Sequence, residues 1–222
     1  GSEMCIRDSN YAGKNPDDIS VTNVDNETAS ITVSALSDNT TEMGGTATFT
    51  VVLDSQPTSD VSIAVSSSDT SEATISPSSL TFDSSNYSTL QTVTVTGVDD
   101  FYDDDNVSYT ITVDPSSSIA SYNTMTSSTV TGSNIDNDTA AITVDAKSGN
   151  TSEFGTTATI NVTLATIPTA NVSIVVTDND STEVSITPTT LTITPSNWNT
   201  TNQVTLKGQD DSDNDGNITH QF

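Results

Sequence analysis

Residues 134–144 read NIDNDTAAITV, and residues 23–33 read NVDNETASITV. Each copy leads an acidic cluster into an alternating run of Thr with Ile and Val, the pattern of a half-buried strand. Sliding the chain by 111 positions keeps register without a gap from Tyr11 to Phe222. Glu42 then aligns with Glu153, Gly44 with Gly155, Leu53 with Leu164, Pro77 with Pro188, Gly97 with Gly208, and Asp99 and Asp100 with Asp210 and Asp211. A period of this length is too long for a solenoid turn and fits a whole domain. The sequence therefore reads as a string of similar domains.

The register divides the chain. Residues 1–9, GSEMCIRDS, match nothing else and read as a non-native junction, set aside from fold reasoning. Residues 10–26 read as the end of a preceding repeat, because ISVTNVDN at 19–26 aligns with VTGSNIDN at 130–137. Residues 27–138 form one complete repeat. Residues 139–222 form a second, expected to stop within its sixth strand because Phe222 aligns with Ile111.

Seven extended runs are expected in the complete repeat, at 29–35, 46–54, 61–67, 79–83, 91–97, 106–113 and 127–134. Runs such as TATFTVVLD and QTVTVTG place apolar residues on one face and Thr on the other. Short strands separated by Gly, Pro, Asn and Asp predict an all-β fold, an antiparallel immunoglobulin-like β-sandwich repeated in tandem. The short ATIS at 73–76 is taken as part of the crossover between the third and fourth strands.

Charge carries the functional signal. The chain has 30 Asp and Glu against 4 Lys and Arg, for a net charge of −26. That excludes nucleic acid and anionic membranes as partners, since both recruit basic patches. No apolar run approaches the ~20 residues of a membrane helix. Beyond residue 9 there is no cysteine, so disulfides and thiolate metal sites are excluded.

Antiparallel strands place alternate loops at opposite poles. One pole collects Asp38, Glu42, Asp69, Glu72, Asp99, Asp100, Asp103, Asp104, Asp105, Asp136 and Asp138, while the other receives only Asp54, Asp60, Asp83 and Asp114. Two like charges 4 Å apart repel by about 4 kcal/mol at an effective dielectric near 20, so such crowding invites a cation. Calcium accepts 6–8 oxygen ligands in loose geometry and suits loop carboxylates and carbonyls. The second repeat offers Glu153, Asp178, Asp180, Glu183, Asp210, Asp211, Asp213 and Asp215. Trp198 and Tyr87 share a register position and are read as anchors of a loop against the sandwich rather than as a sugar platform.

The stretches TEMGGTATFTVVLDSQP (41–57), QTVTVTGVDDFYDDDNVSYTITV (91–113) and NIDND (134–138) resemble the Calx-beta domain, found in sodium–calcium exchangers and in long bacterial surface proteins. The resemblance covers 27–138 fully and 139–222 in part. It implies calcium ligands at Glu42, at Asp99, Asp100, Asp103 and Asp104, and at Asp136 and Asp138. Val107 departs from the family, which often has an acid there. The expectation is thus a non-enzymatic, calcium-binding structural or adhesive spacer of a bacterial extracellular or cell-surface protein, with neighbouring repeats as partners. The alternative is a β-sandwich module that binds a glycan or cell-surface protein, attached to a secreted hydrolase or adhesin. No His–Ser–Asp arrangement, phosphate loop or pocketed carboxylate pair supports catalysis.

Overall fold

The computed structural model describes residues 17–212 and 216–222. The junction expected at 1–9, residues 10–16, and Asp213 and Asp215 lie outside the described residues.

The first repeat contains nine strands: β1 (Ile31–Val33), β2 (Thr40–Thr41), β3 (Thr46–Leu53), β4 (Val61–Ser67), β5 (Ala73–Ser76), β6 (Ser79–Phe82), β7 (Gln91–Gly97), β8 (Val107–Ser117) and β9 (Ser128–Ile135). One sheet has the order β1-β3-β7-β5, the other β2-β9-β8-β4-β6. All pairings are antiparallel except β2 with β9, where Thr40 lies opposite Asn134 and Thr41 opposite Ile135. A four-residue helix, α1 (Ala120–Asn123), lies between β8 and β9.

Alternation decides which face is buried. In β3, Ala47, Phe49, Val51 and Leu53 point inward and the intervening Thr residues are partly exposed. Val93 and Val95 of β7, Val61, Ile63 and Val65 of β4, and Tyr109, Ile111 and Val113 of β8 meet them in one core. Each such side chain contributes about 1.5–3 kcal/mol on full burial.

ATIS is a strand and not merely part of a crossover. Residues 73–76 are a strand, β5, which pairs with β7 from Ala73↔Gly97 to Ser76↔Thr94. Pro77 has no amide hydrogen to extend that ladder. The chain passes to the other sheet, where β6 pairs with β4. The expected crossover therefore holds a strand of its own, and the expected fourth strand at 79–83 is β6. The expected strand at 106–113 also runs on to Ser117, paired along the whole of β4.

The second repeat contains β10 (Ile142–Val144), β11 (Thr157–Leu164), β12 (Val172–Val175), β13 (Val184–Thr187), β14 (Thr190–Ile193) and β15 (Asn202–Gly208). One sheet has the order β10-β11-β15-β13, and β12 pairs with β14. Gly44 and Gly155 have the same φ of +77°, in the turns that precede β3 and β11. Gly97 and Gly208 also play one role. A Cβ at Gly97 would lie 2.2 Å from the Thr41 carbonyl oxygen, and one at Gly208 2.1 Å from that of Ser152. Residues 216–222 form no strand, although their register predicted the start of one.

Candidate metal centre

The acidic pole is built from the ends of three segments. β2 delivers Glu42, whose amide donates to the Ile135 carbonyl at 3.1 Å, tying the β2 turn to the end of β9. β9 then releases Asp136, Asn137 and Asp138. Carboxylate oxygens of Glu42, Asp136 and Asp138 all lie within 4.8 Å of one another. Glu42 is 2% exposed. Its Oε2 accepts from the Asn137 amide at 3.1 Å and from Asn137 Nδ2 at 3.3 Å. Burial, and then the charges of Asp136 and Asp100, push the Glu42 carboxyl up to about 7.

A second group forms beside it. Glu72, the residue before β5, shares a 4.8 Å cluster with Asp100 and Asp104 of the loop that follows β7. Burial raises the Glu72 carboxyl above its ordinary value, assisted by Asp104 and Asp100. Burial likewise raises Asp104 and Asp138, each in the field of neighbouring carboxylates.

A buried polar chain runs from Glu72 into the sandwich. Asn134 is 1% exposed. Its Nδ2 donates to Glu72 Oε2 at 3.3 Å and to the Val98 carbonyl at 2.9 Å. Its Oδ1 accepts from Thr40 Oγ1 at 3.0 Å, and that hydroxyl also meets Tyr109 OH at 3.1 Å. Sequence reasoning missed this chain, because Asn134, Thr40 and Tyr109 read as ordinary strand residues. One signal was present: Asn134 recurs as Asn23 in the repeat register.

The remaining expected ligands have other engagements. Asp99 Oδ1 accepts from Asn137 Nδ2 at 3.4 Å. Asp103 Oδ2 accepts from the Ala140 amide at 2.8 Å. Asp69 caps its own turn through Ser71, which holds its carboxyl below the usual range, and it joins neither group. In the second repeat, Glu153, Asp210 and Asp211 are not gathered into a metal-sized cluster among the described residues. Asp178 meets His220 Nδ1 at 3.0 Å.

The donor set is all oxygen and carries a large uncompensated negative charge. Among the described residues no basic side chain pairs with Glu42 or Glu72. Buried carboxylates without a cationic partner fit a hard divalent ion and do not fit zinc or copper, which favour nitrogen and sulfur.

The expected loop-anchoring role of Trp198 has a further side. Trp198 packs on the second core and also faces Phe101, with ring centroids 5.5 Å apart and planes tilted by 41°.

The fold defines an all-β, immunoglobulin-like sandwich with an acidic pole. No protein-family model matches the sequence, and none of the curated proteins does. The chain is similar to solved structures at low identity. The CsuC–CsuE chaperone–tip adhesion subunit complex of Acinetobacter baumannii is 8% identical over 66% of this chain and 81% of that one, with a TM-score of 0.37. The E. coli chaperone DraB is 9% identical over 84% and 89%, with a TM-score of 0.35. CBD12 from CALX1.2 is 13% identical over 81% and 75%, with a TM-score of 0.33.

Proposed function

We propose that this chain is a stretch of calcium-binding tandem spacer repeats from a bacterial extracellular or cell-surface protein, with one repeat at 27–138 and the next at 139–222. One observation carries the reading. Glu42 is almost wholly buried, grouped with Asp136 and Asp138, and has no basic partner among the described residues. Calcium would take its ligands from the two acidic groups, Glu42, Asp136 and Asp138 on one side and Glu72, Asp100 and Asp104 on the other, with Asp99 and Asp103 at their edges. A divalent ion there cancels the repulsion between carboxylates and ties the β2 turn, the loop after β7 and the exit from β9 together. That exit is the connection to the next repeat, so the metal stiffens a junction. The role is mechanical and non-enzymatic, and neighbouring repeats are its partners. A sugar platform at Trp198 is disfavoured, because Phe101 covers part of the ring.

The test is the melting midpoint of the chain in chelator, in millimolar calcium and in equimolar magnesium at fixed ionic strength. The reading requires a rise specific to calcium. Equal stabilisation by magnesium or by sodium chloride would reduce the effect to screening.

A further inference from the structure

The loop that carries Asp100, Asp103 and Asp104 also touches the second repeat, at three points. The Ile167 amide donates to the Phe101 carbonyl at 2.7 Å, the Ala140 amide donates to Asp103 Oδ2 at 2.8 Å, and the Phe101 ring packs on Trp198. The receiving groups are thus two main-chain amides and one large aromatic ring.

Each receiver has a counterpart 111 positions earlier. Ala140 corresponds to Ala29, Ile167 to Gln56 and Trp198 to Tyr87. The local structure that presents them is also repeated. The Leu164 amide donates to the Trp198 carbonyl and the Leu53 amide to the Tyr87 carbonyl; the Ala165 amide donates to Ala141 and the Asp54 amide to Ser30. On the first repeat, neither the Ala29 nor the Gln56 main-chain amide has a hydrogen-bond partner among the described residues. Gln56 is exposed, and Leu90, three residues after Tyr87 in the chain, is 61% exposed. Among the described residues, the first repeat therefore leaves unoccupied the two amides whose counterparts are engaged on the second repeat.

The geometry points to the Ala29–Gln56–Tyr87 face as a docking site for the acidic loop of a preceding repeat, one that supplies an aromatic side chain with its carbonyl and, two residues on, a carboxylate. The inference rests on the tandem-repeat reading above but not on calcium. Its physical content is one contact rule. Two peptide amides donate to a carbonyl and a carboxylate, and an aromatic pair closes the joint, as aromatic pairs do at centroid spacings of about 4.5–7 Å. The same joint would recur at every junction whose loop has an aromatic residue at the Phe101 position. The second repeat has Ser212 there, so it lacks the aromatic part of the rule toward any repeat that follows it.

The test inserts a copy of residues 27–137 immediately before Glu27 of the full chain, which preserves the register. The downstream copy carries Tyr87→Trp, and Trp198→Phe leaves that tryptophan as the single reporter. Tryptophan is the residue the second repeat already holds at this position, so the fold accommodates it. The expected result is a blue-shifted emission maximum relative to the 222-residue chain with the same two substitutions, and loss of the shift when the inserted copy carries Phe101→Ala. Identical emission in both chains, or a shift that survives Phe101→Ala, overturns the proposal. A concentration-dependent shift in the 222-residue chain also overturns it, by assigning the face to a second copy. Measurements in chelator and in calcium separate the two readings. A shift without any calcium response supports docking and removes the calcium role, whereas calcium binding without a shift removes docking alone.

Discussion

The Asn137 main-chain amide donates to Glu42 Oε2 at 3.1 Å, so the segment leaving β9 grips a carboxylate that the β2 turn has buried. These residues are 95 positions apart in the chain. Through this contact the exit toward the next repeat is fastened to the sandwich beside the densest negative charge in the first repeat.

The buried carboxylate sets a pH dependence. The ordinary Glu value is 4.5, and burial raises Glu42 to about 7. Between those values the folded state binds the proton more tightly than the unfolded state does, so stability falls as pH rises through the window. Glu72, Asp104 and Asp138 shift in the same direction. Asp69 and Asp83 shift the opposite way, and their contribution is lost only on acidification below about 4. In chelator, the first repeat should therefore melt higher at pH 5 than at pH 7.5, with Glu42 contributing on the order of 2–3 kcal/mol. Glu42→Gln should flatten most of the slope. A metal-free midpoint that rises from pH 5 to 7.5 contradicts this assignment.

Asn134 should be among the most sensitive polar positions. Asn134→Ala leaves the Val98 carbonyl, Thr40 Oγ1 and Glu72 without their shared partner in a region closed to water. Each unsatisfied buried group costs about 1–3 kcal/mol. We expect a loss of about 3 kcal/mol in chemical denaturation, and a variant within 1 kcal/mol of the parent would show that water replaces the network.

Removing the junction acids should loosen the connection rather than unfold a repeat. Asp136→Ala with Asp138→Ala deletes carboxylates but no core side chain. It also removes the acceptors for the Asp105 and Asp138 amides. Small-angle scattering in calcium should show a broader distance distribution for the double variant, with each melting midpoint changed by only a few degrees. An unchanged distribution would mean that the connection is stiff without these groups.

Hydrogen exchange should separate the two repeats. Phe49, Val93, Tyr109 and Ile111 belong to a core of sixteen buried residues in the first repeat, whereas the second gathers eight. Ile63 is fully buried, but its counterpart Ile174 is only partly so. Amides of β15 should therefore exchange at least tenfold faster than those of β7, although the two strands align in the repeat. Equal protection would show that the second core is held by contacts beyond those described.

The sandwich was legible because alternation in TATFTVVLD and QTVTVTG fixes both the strand and its buried face. The repeat was legible from register alone. What escaped was set by contacts across the fold. ATIS has only four residues, and its pairing with β7 depends on where Pro77 ends the ladder. Glu42 and Glu72 were legible as members of an acidic pole, but not their burial or their division into two groups, which follows from β2 pairing with β9 and from Gly97 letting the Thr41 backbone approach. Phe101 reads as one exposed aromatic in an acidic loop until Trp198 is found against it.

Calorimetric titration of calcium into the metal-free 222-residue chain at pH 7.5 decides whether Glu42 is a calcium ligand. Extracellular calcium modules bind at roughly 10⁻⁴–10⁻³ M, and saturation to about 100 times the dissociation constant adds ~2.7 kcal/mol to stability. Saturable binding in that range is expected, weakened at least tenfold by Glu42→Gln, with no comparable uptake of magnesium. Absence of saturable heat up to 10⁻² M calcium, or binding that Glu42→Gln leaves unchanged, would contradict it.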